Sequence, residues 1–177
     1  MRIFFDFEFI EGGSAFVMEP ISIGMIREDG KEYYAEFAEV DWNKANPWVL
    51  ENVRPYLSGS SKMGKIAIAQ EIMEFVGEKP EFWAYFADYD WVLLCQIFGR
   101  MIDLPKGWPM FCLDIKQLMW HYRLDKAGLG IENQQEHHAL ADARWNKDAY
   151  DTISDAVQRG EVYQLRSREY DGSSYLG

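Results

Sequence analysis

Apolar and polar side chains alternate in residues 2–9, a segment rich in phenylalanine. The run is too short and too regular for an amphipathic helix, and it predicts a β-strand. Successive side chains of a strand point to opposite faces, so Asp6 and Glu8 share one face while the intervening phenylalanines share the other. A strand with this much phenylalanine is expected near the centre of a sheet, covered on both sides.

Patterns later in the chain predict a hairpin, a buried strand and several helices. Asp29-Gly30 lies between two β runs and is a strong hairpin signal. The further predicted strands are residues 21–26, 32–37 and 81–87, and the predicted helices are residues 46–57, 62–76, 88–98, 114–122 and 137–157. Early strands followed by helices that alternate with a buried strand predict an α/β layer fold.

Composition agrees with one compact domain, which we place at residues 1–160, followed by a polar tail over 161–177. A chain of 177 residues that is 48% hydrophobic can build a substantial core. It has no 18-residue apolar run, and it begins with a charged strand rather than a signal peptide, so we expect a cytoplasmic protein. Cys95 and Cys112 show no metal-ligand spacing and are expected to be reduced and buried.

Three short acidic patches, far apart in the sequence, suit a single metal site. Two like charges on a covered strand repel each other strongly, and Asp6 and Glu8 stay ionised together only if a cation neutralises them. Carboxylate oxygens of this kind suit Mg²⁺ or Mn²⁺. The alternative is an edge or end strand whose acids face water. Asp90 opens a predicted helix, where an aspartate is more often a cap; Asp88 fits that role and leaves Asp90 for a metal.

Two adjacent histidines precede the third acidic patch, in which Asp142 lies in the first turns of a predicted helix. A histidine near the N-terminus of that helix can take a proton from a water that attacks a phosphodiester. His137 lies five residues before Asp142. His138 lies four residues before it and is the rival, because the two could pair on one helix face. The alternative is that both histidines are surface residues beside a helix cap.

The order Asp-x-Glu, Tyr-Asp and His-x-Ala-x-x-Asp resembles the DEDDh (DnaQ-like) family of 3′-5′ exonucleases. The segments FFDFEFIEGG, FWAYFADYDWVLLCQIFG and HHALADA are similar to a small bacterial or phage-type exoribonuclease branch of it, and the resemblance covers residues 1–157. It implies a single RNase H-like domain, a mixed sheet flanked by helices. It implies two divalent cations, Mg²⁺ or Mn²⁺, with His137 as the general base and nucleoside 5′-monophosphates as products. The implied metal ligands are Asp6, Glu8, Asp90 and Asp142.

The chain departs from the family pattern at two places. Many relatives follow the first motif with a polar turn, whereas this chain continues with Phe9, Ile10, Glu11 and two glycines. Phe9 and Ile10 are candidate contacts to the terminal base or sugar, as is Tyr89 in the middle motif, with core packing as the alternative for each. Many relatives also carry an asparagine four residues before the middle aspartate, where this chain has Phe86.

The net charge of −11 limits how the chain can hold a nucleic acid. Tight, sequence-independent binding to long strands normally requires many Lys and Arg contacts to phosphate. We therefore expect a short footprint at single-stranded RNA or DNA 3′ ends or overhangs, with aromatic side chains stacking on bases. The stacking candidates are Phe9, Tyr85, Tyr89 and Trp91, and the residues of a hypothetical basic strip are Arg123, Lys126, Arg144 and Lys147.

The leading hypothesis is a 3′-5′ exoribonuclease. The alternatives are a 3′-5′ exodeoxyribonuclease of the same fold and a non-catalytic nucleic-acid-binding module. No membrane partner is expected, and exposed apolar surface on an acidic, aromatic-rich domain is compatible with a homodimer.

Overall fold

The computed structural model describes residues 1–12, 18–133 and 135–166. The strands are β1 (Arg2–Glu11), β2 (Met18–Arg27), β3 (Glu32–Phe37), β4 (Lys62–Met63), β5 (Glu81–Ala84) and β6 (Leu113–Asp114). The α-helices are α1 (Pro47–Asn52), α2 (Lys65–Val76), α3 (Asp88–Phe98), α4 (Ile115–Tyr122), α5 (Lys126–Leu129) and α6 (Ala139–Gln158). Short 3₁₀ turns lie at Trp42–Lys44, Arg54–Tyr56, Met101–Asp103 and Val162–Leu165. Within these ranges, no helix has the length and apolarity needed to cross a bilayer.

The six strands form one mixed sheet in the order β4-β3-β2-β1-β5-β6. The strands β1, β2 and β3 are antiparallel neighbours, and β5 continues the sheet parallel to β1. The predicted hairpin at Asp29-Gly30 is confirmed, and so is the central position of the first strand, which lies between β2 and β5.

Helices cover both faces of the sheet. On one face, Phe5 and Phe7 of β1 pack with apolar side chains of α2 and α3. On the other face, Phe4 packs with α4 and α6. The predicted alternation along β1 is therefore confirmed, because Phe4 lies on the α6 face while Phe5 and Phe7 lie on the opposite one. A small third cluster joins α1 to the far ends of β1 and β2.

Several predicted boundaries shift for local reasons. Lys62–Met63 pairs with β3 as a short strand, so the predicted helix over 62–76 begins only at Lys65. The helix over 46–57 ends at Asn52, and a 3₁₀ turn follows that contains Pro55, a residue that cannot continue an α-helix without losing a hydrogen bond. The strand over 81–87 ends at Ala84, because Phe86 adopts a left-handed conformation with φ of 55°.

The predicted polar tail begins within the described part of the chain. Val162 is buried against α6 and belongs to the core on that face. Residues 167–177 lie outside the described residues, so the division of the chain at 160/161 stays a prediction.

Two contacts fix α6 against the middle of the sheet. The side-chain amide of Asn146 is buried and donates a hydrogen bond of 2.9 Å to the carbonyl oxygen of Phe5. Gly24 of β2 lies opposite Asp6 of β1, and a Cβ atom placed there would lie 2.3 Å from backbone atoms of Ala139 and Leu140. Because glycine has no side chain, Gly24 allows the start of α6 to approach the sheet beside Asp6.

We predict that Gly24→Ala destabilises the protein by about 3 kcal/mol, the upper end of the usual range for overpacking. The clash is with helix backbone, which cannot move aside as a flexible side chain can. Urea unfolding measures the loss. Gly64→Ala is the matched control, because its Cβ would meet only the carboxylate end of the Glu39 side chain, at 3.1 Å. Equal effects of the two substitutions would contradict the close approach.

Candidate active site

A cavity of about 430 Å³ opens where β1 passes between the starts of α3 and α6. This volume is within the usual range of ligand sites, about 300–1,000 Å³. Its acidic lining residues are Asp6, Glu8, Asp90, Glu136 and Asp142, and its aromatic ones are Phe7, Phe9, Tyr85, Phe86 and Tyr89. Lys126 and His137 complete the lining. The structure thus brings all three acidic patches together.

Asp6, Glu8 and Asp142 form the centre of this site. One carboxylate oxygen from each can be chosen so that all three lie within 4.8 Å of one another. Asp6 and Glu8 reach the same cavity because they are two residues apart on β1, and Asp142 joins them from the first turn of α6. The alternative of an edge strand with acids facing water is wrong, since β1 is interior.

Asp90 enters the site through a hydrogen bond to β1. The strand β5 pairs with β1 only as far as Phe4, so the backbone N–H of Phe7 has no strand partner on that side. Asp90 accepts this N–H at 2.8 Å and is 5% exposed. A buried backbone donor requires such a partner. Asp88, expected as the helix cap, instead occupies the first helical position with its side chain exposed, and Ala87 is the N-cap.

The four carboxyl groups have raised pKa values. Burial is the largest cause for each of them. It raises the pKa of Glu8 to about 8 and that of Asp90 to about 7, and the charges of neighbouring carboxylates add to the effect. The pKa of Asp6 is raised well above its ordinary value by burial and then by Asp90 and Asp142. Hydrogen bonds from His137 and Asn133 partly offset the rise for Asp142.

The donor set fits hard divalent cations. Carboxylate oxygens are the ligands that Mg²⁺ and Mn²⁺ prefer, and within the described residues the cavity lining contains no thiol. Clustered acids whose ionised forms are destabilised by burial and mutual repulsion gain most from a nearby positive charge.

The two histidines lie in different surroundings. His137 lines the cavity, and its backbone N–H donates to Asp142 at 3.0 Å. Its ring meets the ring of Trp48 edge to face, with centroids 4.7 Å apart. His138 is stacked on Tyr34 at 4.7 Å, outside the cavity lining, and burial lowers its pKa. This geometry favours His137 as the residue that faces a substrate.

The candidate substrate contacts separate into two groups. Phe9 and Tyr89 both line the cavity and touch edge to face, with ring centroids 5.8 Å apart. Ile10 was the wrong candidate, because it is 1% exposed and packs in the core cluster beside α1. Trp91 packs on Phe82 with a centroid distance of 5.5 Å and belongs to the core rather than to the site.

The hypothetical basic strip does not form. Arg144 binds both carboxylate oxygens of Glu32, each at 2.7 Å, and Lys147 pairs with Asp151 on its own helix. Arg123 is the left-handed C-cap of α4 and, like Arg144 and Lys147, does not line the cavity. Lys126 alone of the four lies at the site.

Sequence reasoning missed three neighbours of the cluster. Asn133 donates its side-chain amide to Asp142, Glu136 lines the cavity, and Trp48 contacts His137 from α1. Trp48 lies 89 positions before His137, and no spacing rule in the sequence links the two. Asn133 and Glu136 lie in the stretch before α6, outside every predicted element.

Comparison with known proteins places the chain among nucleases. Residues 1–154 match the family model described as the Rv2179c-like 3′-5′ exoribonuclease domain. The 3′-5′ exoribonuclease Rv2179c of Mycobacterium tuberculosis strain H37Rv is 38% identical over 151 residues, which is 81% of this chain and 88% of that protein. The 3′-5′ exoribonuclease MT2234.1 from another strain of the same species matches equally.

Solved structures of exonuclease I share the fold. Escherichia coli exonuclease I in complex with a dT13 oligonucleotide matches with a TM-score of 0.65 and 16% identity, covering 92% of this chain and 42% of that one. The enzyme from Methylocaldum szegediense matches with a TM-score of 0.66 and 14% identity, covering 93% and 42%. The chain thus spans about two fifths of the length of these exonucleases. At such identity the likeness concerns the fold alone, and it confirms the expected RNase H-like architecture.

We predict that the metal-free protein loses stability as the pH rises from about 5 to about 8. The folded state keeps protons on Glu8 and Asp90 that the unfolded chain releases near pH 4, so the stabilisation is present at low pH and is lost as the pH passes the folded pKa values of about 8 and about 7. Each unit of pKa shift corresponds to about 1.4 kcal/mol. Urea unfolding in EDTA at a series of pH values measures the slope of the free energy of unfolding against pH.

Asp6→Asn should flatten this slope and raise the stability at pH 8, since it removes one of the repelling charges. Asp88→Asn is the control, because it removes an exposed carboxylate from the same protein. If Asp6→Asn leaves the dependence of stability on pH unchanged, the repulsion within the cluster is contradicted. A wild-type protein whose stability increases with pH would contradict it as well.

Proposed function

The chain belongs to the Rv2179c-like 3′-5′ exoribonuclease domain family, and we propose that it hydrolyses single-stranded RNA from the 3′ end and releases nucleoside 5′-monophosphates. The observation that carries this proposal is the convergence of Asp6, Glu8, Asp90, Asp142 and His137 on one cavity. These residues come from three elements that are far apart in the sequence, and no packing requirement explains four acids at one place. The relatives named as exoribonucleases support the choice of RNA.

The proposed cofactors are two divalent cations, Mg²⁺ or Mn²⁺, held by the four carboxylates. When bound, such ions supply positive charge to the developing phosphoryl oxyanion and lower the pKa of a water molecule towards about 7. The chain's own part is to hold Asp6 and Glu8 rigidly on a central strand, with Asp90 fixed by the Phe7 N–H and Asp142 fixed by the His137 N–H. Fixed ligands lose little freedom when a substrate binds, which favours catalysis by positioning.

His137 is proposed as the general base that accepts the proton of the attacking water. It stands just before the N-terminus of α6, with φ of 68°. His138, the next residue, is instead the N-cap of α6 in an extended conformation. The Trp48 ring contacts the side chain of His137. Histidine is the side chain most often used for proton transfer in catalysis.

The end of the RNA strand is proposed to bind against Phe9 and Tyr89. Both rings line the cavity, and Tyr89 is 50% exposed. Stacking of a base on an aromatic side chain contributes about 1–3 kcal/mol and does not depend on base identity. A short aromatic contact of this kind suits an acidic chain, which has few cations to hold a long strand.

A cytoplasmic location and a homodimer stay predictions.

The test is a degradation assay with single-stranded RNA and DNA of equal sequence, each labelled at the 5′ end, in the presence of Mg²⁺ or Mn²⁺. We expect a ladder of RNA products shortened from the 3′ end. Asp6→Asn should abolish it, and Asp88→Asn should leave it unchanged. Shortening of DNA in preference to RNA would favour the exodeoxyribonuclease alternative. Binding of RNA without any cleavage would favour the non-catalytic module.

We predict that His137→Ala lowers kcat by about 10²- to 10⁴-fold, the usual contribution of general acid–base catalysis. His138→Ala is the matched control, because it removes the neighbouring imidazole from outside the cavity. Initial rates with saturating RNA measure both. A fully active His137→Ala variant together with an inactive His138→Ala variant would assign the base to His138 instead.

A further inference from the structure

The turn between β5 and α3 presents a phenylalanine to solvent at the mouth of the cavity. Phe86 is 60% exposed and lines the cavity, and its φ of 55° lies in the left-handed region. This conformation is an outlier for a bulky residue, and strained residues cluster at binding and catalytic sites. The ring contacts Tyr85 edge to face, with centroids 4.7 Å apart, but is not part of a core cluster. Its place at the cavity mouth therefore needs another explanation.

One carboxylate fixes this turn and the neighbouring helix together. Asp114 accepts the backbone N–H of Ala87 at 3.0 Å, directly after Phe86. Its other oxygen accepts the N–H of Gln117 at 3.1 Å and caps α4. The position of Lys116 on the first turn of α4 is therefore coupled to the position of Phe86.

Two lysines flank the aromatic pair at this turn. The Nζ atom of Lys116 lies 5.4 Å from the Phe86 ring centroid and 5.9 Å from that of Tyr85. The Nζ atom of Lys126 lies 5.1 Å from the Tyr85 ring on the cavity side. We call Tyr85, Phe86, Lys116 and Lys126 the Tyr85–Phe86 strip. It runs from inside the cavity, where Lys126 and Tyr85 are lining residues, to Lys116 outside it.

The charge of the strip is opposite to that of its surroundings. The described lining of the cavity includes five carboxylates, and Lys126 is its one lysine or arginine. The Nζ atom of Lys126 lies 3.5 Å from a carboxylate oxygen of Glu136 in an exposed ion pair. Such a pair contributes little to stability, so Lys126 can exchange Glu136 for a phosphate at low cost. In a chain of net charge −11, a strand of phosphates can approach only along a path that carries local positive charge.

We propose that the Tyr85–Phe86 strip binds the nucleotide on the 5′ side of the one held in the cavity. The base of that upstream nucleotide stacks on Phe86, and the adjoining phosphates contact Lys126 and then Lys116. The inference rests on the proposed exoribonuclease function, which it extends from the scissile nucleotide to the incoming strand. An aromatic pair flanked by two lysines next to the proposed nuclease site matches single-stranded nucleic acid better than a protein partner, because every base offers a face for stacking.

The first test compares two substrates that differ in the upstream nucleotide. A pentaribonucleotide has one, whereas the p-nitrophenyl ester of a nucleoside 5′-monophosphate has none. We expect Phe86→Ala to raise KM for the pentanucleotide about tenfold, the equivalent of 1.4 kcal/mol, with kcat changed less than twofold. The KM of the ester should not change. Phe86→Trp should restore the pentanucleotide KM by restoring the stacking surface.

Phe111→Ala is the matched control. Phe111 is also 60% exposed, and it lies before β6, at the opposite end of the sheet from the cavity. If Phe86→Ala leaves the pentanucleotide KM unchanged while the wild type is active, the proposed role of the strip is wrong and the proposed function stands. If Phe86→Ala changes both substrates equally, the ring acts on the cavity itself and the proposal is likewise overturned.

The second test measures binding without turnover. It uses His137→Ala protein in Mg²⁺ and an RNA pentamer with 2-aminopurine at the penultimate position, whose fluorescence falls on stacking. Phe86→Ala should abolish the fall. Lys116→Gln and Lys126→Gln should each reduce the slope of log affinity against log salt by about 0.7, as expected for one phosphate contact to a single strand. Lys31→Gln, in the β2–β3 turn at the far end of the sheet, should not.

These results also separate the two levels of the proposal. A wild-type protein that degrades neither substrate would overturn the exoribonuclease function, and the fluorescence and salt slopes would still decide the strip. An unchanged fluorescence signal and unchanged slopes in all three variants would overturn the strip and leave this face to another occupant.

Discussion

The rest of the structure depends on one electrostatic constraint, which is that four carboxylates share a small, partly buried volume at one end of a sheet. Burial raises the pKa values of all four groups, and the charges of neighbouring carboxylates add to the rise for Asp6, Glu8 and Asp90. Their ionised forms are therefore unfavourable in the folded chain alone. This arrangement of carboxylates does not stabilise the folded chain. The arrangement becomes favourable when cations enter, and for this reason the acidic cluster is the basis of the proposed nuclease function.

The fold meets this constraint with backbone geometry. The period of two on β1 places Asp6 and Glu8 on one face, and β1 extends past the paired part of β5, which leaves the Phe7 N–H for Asp90. Gly24, opposite Asp6 on β2, removes the side chain that would keep α6 away. Asp142 then reaches the cluster from the first turn of α6. Each of the four carboxylates is thus held by a backbone contact or by a rigid element, which a site of repelling charges requires.

Much of this could be predicted from the sequence because it depends on local periodicity. The strand character of β1, the hairpin at Asp29-Gly30 and the bounds of α3 all follow from patterns within a few residues. The three motifs also predicted the convergence of the acids, through their resemblance to a known family. The contacts that sequence reasoning missed join distant parts of the chain, as Trp48 does with His137. Burial of Ile10 depends on where α1 packs, and the basic strip failed because Arg144 pairs with Glu32 across 112 positions.

The most direct test of the central claim is a calorimetric titration of Mn²⁺ into the metal-free protein, with Asp6→Asn titrated in parallel. If the carboxylates are assembled to hold cations, the wild type should bind two ions per chain, the number that a two-metal mechanism requires. Asp6→Asn should then bind fewer ions or bind them more weakly. A wild-type chain that takes up no Mn²⁺, or that binds it no better than Asp6→Asn, would contradict the account.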